Sequence, residues 1–204
     1  MDVMITNLQR IYDDIKTIIK EKLECFNNLN KKEIKMEFIF CLLTPQSEAK
    51  KCWQVVLELK EHGFPLAEEK IKNCISGVRF KNKKANYIKE GISKFESLYS
   101  KIKEEKDVFK LRKDIVMKIK GIGWKETSHF LRNIGKGENF AILDRHILKC
   151  LCKYGVIEKI PESISQKQYI NIENKMREFS KNIKIPLSHL DFLFWYIEKG
   201  EIFK

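Results

Sequence analysis

Residues 114–149 read DIVMKIKGIGWKETSHFLRNIGKGENFAILDRHILK, and this stretch decides the fold prediction. A helical pattern ends near Lys120, a Gly-Ile-Gly turn occupies 121–123, and a second helix begins at Trp124. Two glycines let the backbone turn tightly and approach another surface closely. The free N–H groups of the second helix can then bind a phosphate without reading a base. The stretch predicts a helix-hairpin-helix, which is either a phosphate-binding element or an ordinary tight turn.

The second helix has an apolar face that we expect to be buried, comprising Thr127, Phe130, Leu131 and Ile134. At about 100° per residue, the opposite face is open and carries Lys125, Ser128, His129 and Arg132. The helix dipole and the basic neighbours of Lys125, notably Arg132, should disfavour the charged amine. An uncharged lysine amine can attack a carbon electrophile and form a Schiff base. The alternative is an ordinary surface lysine.

Asp144 follows Lys125 by nineteen residues, in Ala-Ile-Leu-Asp-Arg-His. It precedes a helix whose apolar stripe is Ile147, Leu148, Leu151 and Tyr154, so we expect it to be the N-cap. Capping alone would explain an aspartate here. A carboxylate that also faced Lys125 across a cleft could orient that amine and stabilise a cation developing on a substrate.

Helical periodicity extends over nearly the whole chain, and Gly and Pro residues, such as Gly63-Phe64-Pro65, separate the segments. The predicted helices are residues 2–26, 33–43, 47–61, 66–75, 83–99, 107–119, 124–134, 145–154, 166–180 and 187–199. Only Phe140–Leu143 is ambiguous with a strand. The fold class is therefore all-α, with two helical lobes around a cleft. We expect a barrel-like lobe at 33–136 containing the hairpin, and a second lobe, with both termini, from 1–32 and 137–204.

The composition favours a polyanionic partner. Forty Lys and Arg residues outnumber 28 Asp and Glu residues, which leaves a net charge of +12. No signal peptide or transmembrane segment is recognisable, so we expect an intracellular protein, cytoplasmic or nucleoid-associated, with no membrane partner. The six cysteines include no CxxC pair, so we expect reduced thiols and no metal site.

The order of these motifs resembles the helix-hairpin-helix-GPD superfamily of DNA glycosylases. The closer similarity is to its archaeal-type 8-oxoguanine DNA glycosylase/lyase branch. Three stretches carry this resemblance: KGIGWKETSHFLRN at 120–133, AILDRHIL at 141–148 and LDFLFWYIEKGEIFK at 190–204. The likeness runs in order through most of the chain.

The resemblance implies a reaction and a set of roles. Lys125 would be the Schiff-base nucleophile and Asp144 its catalytic partner, removing a damaged base from duplex DNA and nicking the strand by β-elimination. The hairpin glycines, Gly121 and Gly123, would contact DNA together with Arg132. No metal or other cofactor would serve the chemistry, although the hairpin carbonyls can bind a monovalent cation. The four-cysteine cluster of endonuclease III relatives is absent, and a monomer is expected.

Three further residues are expected to form the base pocket. Members of this branch end in a lysine that reaches the base, and the last residue here is Lys204. Trp195 points away from the core stripe of the last helix, so it is available for stacking, although a Trp filling a gap between lobes would look the same. Phe80 matches the position of the other base-facing aromatic residue of the family.

One departure from the branch concerns residues 42–47, Leu-Leu-Thr-Pro-Gln-Ser, where a Thr-Ala-Asn type of turn is usual. Gln46 resembles instead the glutamine that endonuclease III and adenine-mismatch relatives insert where a nucleotide has flipped out; a helix cap is the alternative. The lesion could therefore be an oxidised pyrimidine or a mismatched base rather than 8-oxoguanine. Two other hypotheses stay open: a non-catalytic DNA-binding module, and an RNA-binding basic protein supported by charge alone.

Overall fold

The computed structural model of the protein describes residues 2–63 and 67–204. These residues form ten helices and, as predicted, an all-α fold. The helices are α1 Asp2–Asn27, α2 Lys31–Leu43, α3 Ala49–His62, α4 Glu68–Cys74, α5 Lys81–Glu104, α6 Val108–Lys118, α7 Trp124–Arg132, α8 Arg145–Lys153, α9 Gln166–Asn182 and α10 Leu187–Lys199. Residues 140–143 form no strand. Of the predicted Gly-Phe-Pro break at 63–65, Phe64 and Pro65 lie outside the described residues.

Local capping explains where several helices begin. The Asn30 side chain accepts hydrogen bonds from the backbone of Lys32 and Glu33, and the Glu33 side chain accepts the Asn30 N–H in return. This capping box satisfies N–H groups that have no partner within the helix. Asp107 caps α6 in a similar way, through the backbone N–H groups of Phe109 and Lys110.

The chain divides into two compact units. An internal unit comprises Leu29–Phe130, and a terminal unit comprises the chain up to Asn28 together with Leu131–Lys204. The sequence predicts lobe boundaries at 33 and 136, and the internal unit of the structure begins and ends a few residues earlier. Helix α7 contributes to both units, because Trp124–Phe130 fall in the first and the remaining residues in the second.

Helix α2 lies at the centre of the internal unit. Its residues from Phe38 to Leu43 are fully buried, as their continuous apolar run suggests. The Phe38 ring contacts Phe95 of α5, with ring centroids 5.9 Å apart, and Phe130 of α7, with centroids 5.6 Å apart. Fully burying each such side chain stabilises the fold by about 1.5–3 kcal/mol. This packing anchors α7 through Phe130, near the C-terminal end of the helix that follows the hairpin.

Helix α10 lies at the centre of the terminal unit. All its residues from Leu187 to Phe194 are buried, and it packs against α1, α8 and α9. The Phe194 ring stacks on Tyr154 with ring centroids 5.6 Å apart. Across the described ranges, no helix combines the length and apolar character needed to cross a membrane.

Candidate functional site

The predicted helix-hairpin-helix is confirmed. Helix α6 ends at Lys118, the chain turns through Gly121 in the left-handed conformation (φ 84°), and α7 begins at Trp124. A Cβ atom at position 121 would lie 2.3 Å from the ring of Tyr87 in α5. Glycine is therefore required here both by its backbone conformation and by close packing.

Lys125 is the second residue of α7, and its side chain is 27% exposed. Its Nζ lies 3.0 Å from one carboxylate oxygen of Glu126, and the other oxygen of that carboxylate accepts the backbone N–H of Gly123 at 3.3 Å. Its ion-pair partner is thus acidic, and a basic neighbour is present as well, since the charge of Lys125 helps to lower the pKa of Lys84. The Glu126 carboxylate thus links the hairpin backbone to the amine of Lys125.

The predicted open face of α7 is wrong for Ser128 and Arg132, both of which are buried. The Arg132 guanidinium is 3.6 Å from the Asp191 carboxylate and 4.1 Å from the ring centroid of Phe192 in α10. Ser128 is bound by Arg112 of α6 within the internal unit, whereas Arg132 belongs to the terminal unit, where it meets α10. Burial and pairing with the Asp191 carboxylate argue against the predicted contact of Arg132 with DNA, since its guanidinium faces protein. The predicted burial of Thr127, Phe130, Leu131 and Ile134 is confirmed.

Arg112 is a hairpin residue that the sequence analysis missed. It is 2% exposed, donates a hydrogen bond to Ser128 Oγ at 3.2 Å, and places its guanidinium 4.9 Å from the ring centroid of Trp124. It therefore joins the two helices of the hairpin. A single arginine in an amphipathic helix gives no sequence signal that distinguishes this role from a solvated side chain.

Asp144 is the N-cap of α8, as predicted. Its Oδ1 accepts the backbone N–H groups of His146 and Ile147, both at 2.8 Å, and the residue is half-buried. Lys125 belongs to the internal unit and Asp144 to the terminal unit. Their approach across a shared cleft stays a prediction.

Trp195 lies beside the N-terminus of α8. It is half-buried, its ring meets that of His146 edge to face with centroids 5.2 Å apart, and Lys199 Nζ lies 5.9 Å from its centroid. Its indole nitrogen is buried and has no hydrogen-bond partner among the described residues. The backbone N–H of His146 also donates to Asp144. Trp195 and Asp144 therefore both contact His146. Lys204 is half-buried in the same unit.

Gln46 and Phe80 share an unusual backbone conformation. Both are non-glycine residues in the left-handed region, with φ 54° and 60° respectively, and both are exposed. Gln46 lies in the turn between α2 and α3, so it is not a helix cap, and Phe80 directly precedes α5. Such strain of about 1–3 kcal/mol per residue is concentrated at functional sites.

A cavity of about 190 Å³ joins this region to the hairpin. Its lining comprises Leu42, Pro45, Phe80, Lys83, Lys84, Tyr87 and Gly121. Two predicted site residues, Phe80 and Gly121, therefore face one cavity, and Pro45 places Gln46 at its edge. The internal unit brings together the hairpin, the exposed aromatic ring and the candidate gap-filling amide.

In the described part of the chain, Glu58, His62 and Cys74 could hold a metal ion. Each offers one ligand atom, and these atoms lie within 4.8 Å of one another. Glu58 and His62 are exposed, whereas Cys74 is buried. None of the predicted site residues belongs to this group. The six cysteines are free thiols, as expected.

The chain is all-helical, a lysine follows the glycine-containing hairpin, and an aspartate caps the next helix. This is the architecture of the helix-hairpin-helix DNA glycosylases. A family model described as Ogg-HhH, 8-oxoguanine DNA glycosylase, matches residues 9–185. The chain belongs to this 8-oxoguanine DNA glycosylase family.

Relatives and solved structures match this chain over nearly its full length. An 8-oxoguanine DNA glycosylase/AP lyase of Fusobacterium nucleatum is 40% identical over 97% of this chain and 96% of its own, and the enzyme of that name from Methanocaldococcus jannaschii is 35% identical over 94% of each. The crystal structure of the M. jannaschii glycosylase/lyase with a 15mer DNA containing 8-oxoguanine matches with a TM-score of 0.92 at 31% identity, covering 99% of this chain and 100% of that one. The 8-oxoguanine DNA glycosylase of Thermotoga maritima matches with a TM-score of 0.90 at 31% identity, covering both chains completely.

Proposed function

We propose that this protein is a bifunctional DNA glycosylase/AP lyase that removes 8-oxoguanine from duplex DNA in base excision repair. The observation that carries the proposal is the position of Lys125, a partly exposed amine in the first turn of the helix that follows the hairpin. The names of the full-length relatives support the same activity. Backbone N–H groups of the hairpin would bind a phosphate, which sets the neighbouring amine beside the backbone of the damaged strand.

Lys125 would act as the nucleophile. Its neutral amine attacks C1′ of the damaged nucleotide, and the bond from C1′ to the base breaks with its electron pair leaving on the base, which takes up a proton. The sugar ring opens to a Schiff base between Nζ and C1′. Loss of a proton from C2′ then expels the 3′ phosphate by β-elimination, and water releases the lysine. Before attack, the ammonium must leave its ion pair with Glu126 and lose a proton.

Asp144 would stabilise the positive charge that develops on the sugar as the base departs. The two backbone N–H groups that bind its Oδ1 hold the carboxylate in one orientation. The second oxygen is thereby pre-oriented. Trp195 and Phe80 would stack against nucleobases, since a base–aromatic stack contributes about 1–3 kcal/mol, similar to the cost of extruding a base. Lys204 would contact the extruded base.

A panel of damaged duplexes tests this proposal. We expect release of 8-oxoguanine followed by strand nicking, with little activity toward oxidised pyrimidines or mismatched bases. Lys125→Gln should abolish both steps, because the proposed Schiff base forms on the Lys125 amine and a glutamine amide cannot replace it. Lys113→Gln changes an exposed lysine of α6 and serves as the matched control. Full release of 8-oxoguanine by Lys125→Gln would disprove the role of Lys125.

The second candidate is the same chemistry on another lesion, and the observation that favours it is the exposed Gln46. Preferential release of an oxidised pyrimidine or a mismatched base in the panel would establish this alternative. A non-catalytic DNA-binding module predicts instead that Lys125→Gln and Asp144→Asn change nothing beyond a slight loss of affinity.

We propose further that the protein acts as a monomer in the cytoplasm or nucleoid and that no metal ion serves the chemistry. Excision should continue unchanged in EDTA, measured as product formed per minute with and without the chelator. A loss of activity that zinc or magnesium restored would contradict this. A monovalent cation on the hairpin carbonyls stays a prediction, and the Lys118 carbonyl already accepts Lys94 Nζ at 3.3 Å.

A further inference from the structure

Lys84 is a buried lysine in the first turns of α5, with 3% of its surface exposed. Its Nζ donates to three oxygen atoms: the Leu43 carbonyl at 2.6 Å, the Pro45 carbonyl at 2.7 Å and the Ser47 hydroxyl at 2.9 Å. An ammonium group has three N–H donors, so each finds an acceptor. All three acceptors belong to the end of α2 and the turn that follows it.

Burial of this cation has an energetic cost that the acceptors offset. Leu43 is the last residue of α2, and the final carbonyls of a helix lack partners and carry partial negative charge. Burial lowers the pKa of Lys84 below its ordinary value, and the positive charge of Lys125 acts in the same direction. Cys52 also donates to the Leu43 carbonyl, at 3.3 Å, and burial raises the pKa of its thiol to about 11. The thiol is therefore neutral near pH 7, so the two carbonyl oxygens and the Ser47 hydroxyl hold the ammonium.

The bonds from Lys84 fix the backbone on both sides of Gln46. The Pro45 carbonyl precedes this residue and the Ser47 hydroxyl follows it, while Ser47 N–H donates to the Thr44 carbonyl at 3.0 Å to close the turn. A left-handed backbone conformation is strained at a glutamine (φ 54°), because its Cβ crowds the backbone. Three charge-assisted hydrogen bonds are enough to hold it.

The same lysine reaches the second strained residue through its backbone. The Lys84 N–H donates to the Phe80 carbonyl at 3.0 Å in the first turn of α5. Pro45, Phe80 and Lys84 all line the cavity beside the hairpin. Lys84 thus joins the turn that carries Gln46 to the helix start that carries Phe80.

We propose that Lys84 is a positioning residue that locks the Gln46 turn, so that the Gln46 amide can fill the space left by an extruded nucleotide. This inference rests on the proposed function. It makes Lys84 a determinant of how the enzyme responds to the base opposite the lesion. In this role Lys84 acts through the Gln46 turn rather than as a catalytic residue.

Two duplexes test the proposal: one with 8-oxoguanine opposite cytosine, and one with 8-oxoguanine opposite a tetrahydrofuran abasic analogue. Without a partner base, no orphaned base remains to be hydrogen-bonded. Lys84→Met should lower excision from the first duplex about tenfold and from the second by less than about threefold, with Gln46→Ala behaving alike. The double variant should be no worse than either single variant, because both act through one turn. Lys89→Met, an exposed change on the same helix, is the control.

Equal losses on the two duplexes, or additive effects in the double variant, would overturn the positioning role. If Lys84→Met does not fold, Ser47→Ala removes one acceptor and should show the same selectivity with a loss of about two- to threefold on the paired duplex. Uniform behaviour of Ser47→Ala on both duplexes would count against the proposal. If the unaltered protein releases 8-oxoguanine from neither duplex, the proposed function itself is wrong. This outcome differs from a loss confined to the variants, which concerns only the role of Lys84.

Discussion

At the scale of single residues, Gly121 separates the two ways in which a glycine can matter. Its φ of 84° favours glycine, and its neighbour Tyr87 leaves no room for a Cβ. Gly155 has a similar φ of 71° but has open space around it. The pair therefore distinguishes conformational strain from close packing.

We expect Gly121→Ala to lower the stability of the protein by about 2–4 kcal/mol, since overpacking adds to the backbone strain. Gly155→Ala should lose only about 1 kcal/mol. Denaturant unfolding measures both, and a duplex-binding assay should show weaker affinity for Gly121→Ala alone. Equal effects of the two substitutions on stability and affinity would mean that the hairpin tolerates displacement.

The burial of Arg132 in α7 can be tested by substitution. We expect Arg132→Met to destabilise the terminal unit by about 3–5 kcal/mol, because the Asp191 carboxylate would stay buried without its partner. The double variant Arg132→Met/Asp191→Leu should recover much of that loss. A stable Arg132→Met variant whose DNA binding became less sensitive to salt would instead return Arg132 to the DNA surface.

At the scale of helices, most boundaries could be predicted because periodicity and capping act locally. The N-cap at Asp144 and the hairpin turn at Gly121 follow from a few neighbouring residues. The environment of α7 could not be predicted in this way, because Ser128 and Arg132 are buried by partners distant in sequence, Arg112 and Asp191. Lys84 escaped notice for the same reason, since its acceptors at Leu43 and Pro45 lie about forty residues earlier.

Helix α10 also predicts a pH dependence of stability. His189 is 8% exposed, its Nδ1 lies 2.9 Å from the Tyr12 hydroxyl, and burial, with the charge of Lys20, lowers its pKa below 6.5. The unfolded chain therefore binds a proton more readily than the folded protein does. The contribution of His189 to the free energy of unfolding should be complete above about pH 6.5, the pKa of an ordinary histidine. It should be lost as the pH falls through the lower pKa of the folded protein.

Denaturant unfolding between pH 5 and 8 measures this slope. His189→Gln should flatten it, since an amide does not titrate in this range. The matched control is His62→Gln, which makes the same substitution at an exposed histidine. An unaltered slope in His189→Gln would assign the pH dependence to another group.

At the scale of the whole molecule, a net charge of +12 predicts DNA binding that weakens with salt. Each phosphate neutralised should contribute about −0.9 to the slope of log affinity against log salt. We expect a slope of about −3 or steeper between 50 and 200 mM salt, measured by fluorescence anisotropy with an undamaged duplex. A flat response would mean that the basic surface does not track the DNA backbone.

The identity of the lesion likewise depends on the molecule as a whole. Charge and the hairpin favour a nucleic-acid partner, and the position of Lys125 is compatible with Schiff-base chemistry, with an ordinary surface lysine as the alternative. The choice of 8-oxoguanine came from the resemblance of three motifs, because no single residue specifies an oxidised purine. Gln46 shows why: its amide can hydrogen-bond to more than one orphaned base.

The proposed mechanism requires that the Lys125 amine become covalently attached to deoxyribose. Sodium borohydride added during reaction with an 8-oxoguanine duplex should reduce the intermediate to a stable protein–DNA adduct, and peptide mapping should place the DNA on Lys125. Lys125→Gln should form no adduct, whereas Lys113→Gln should form as much as the unaltered protein. An adduct mapped to another residue, or undiminished in Lys125→Gln, would contradict the account.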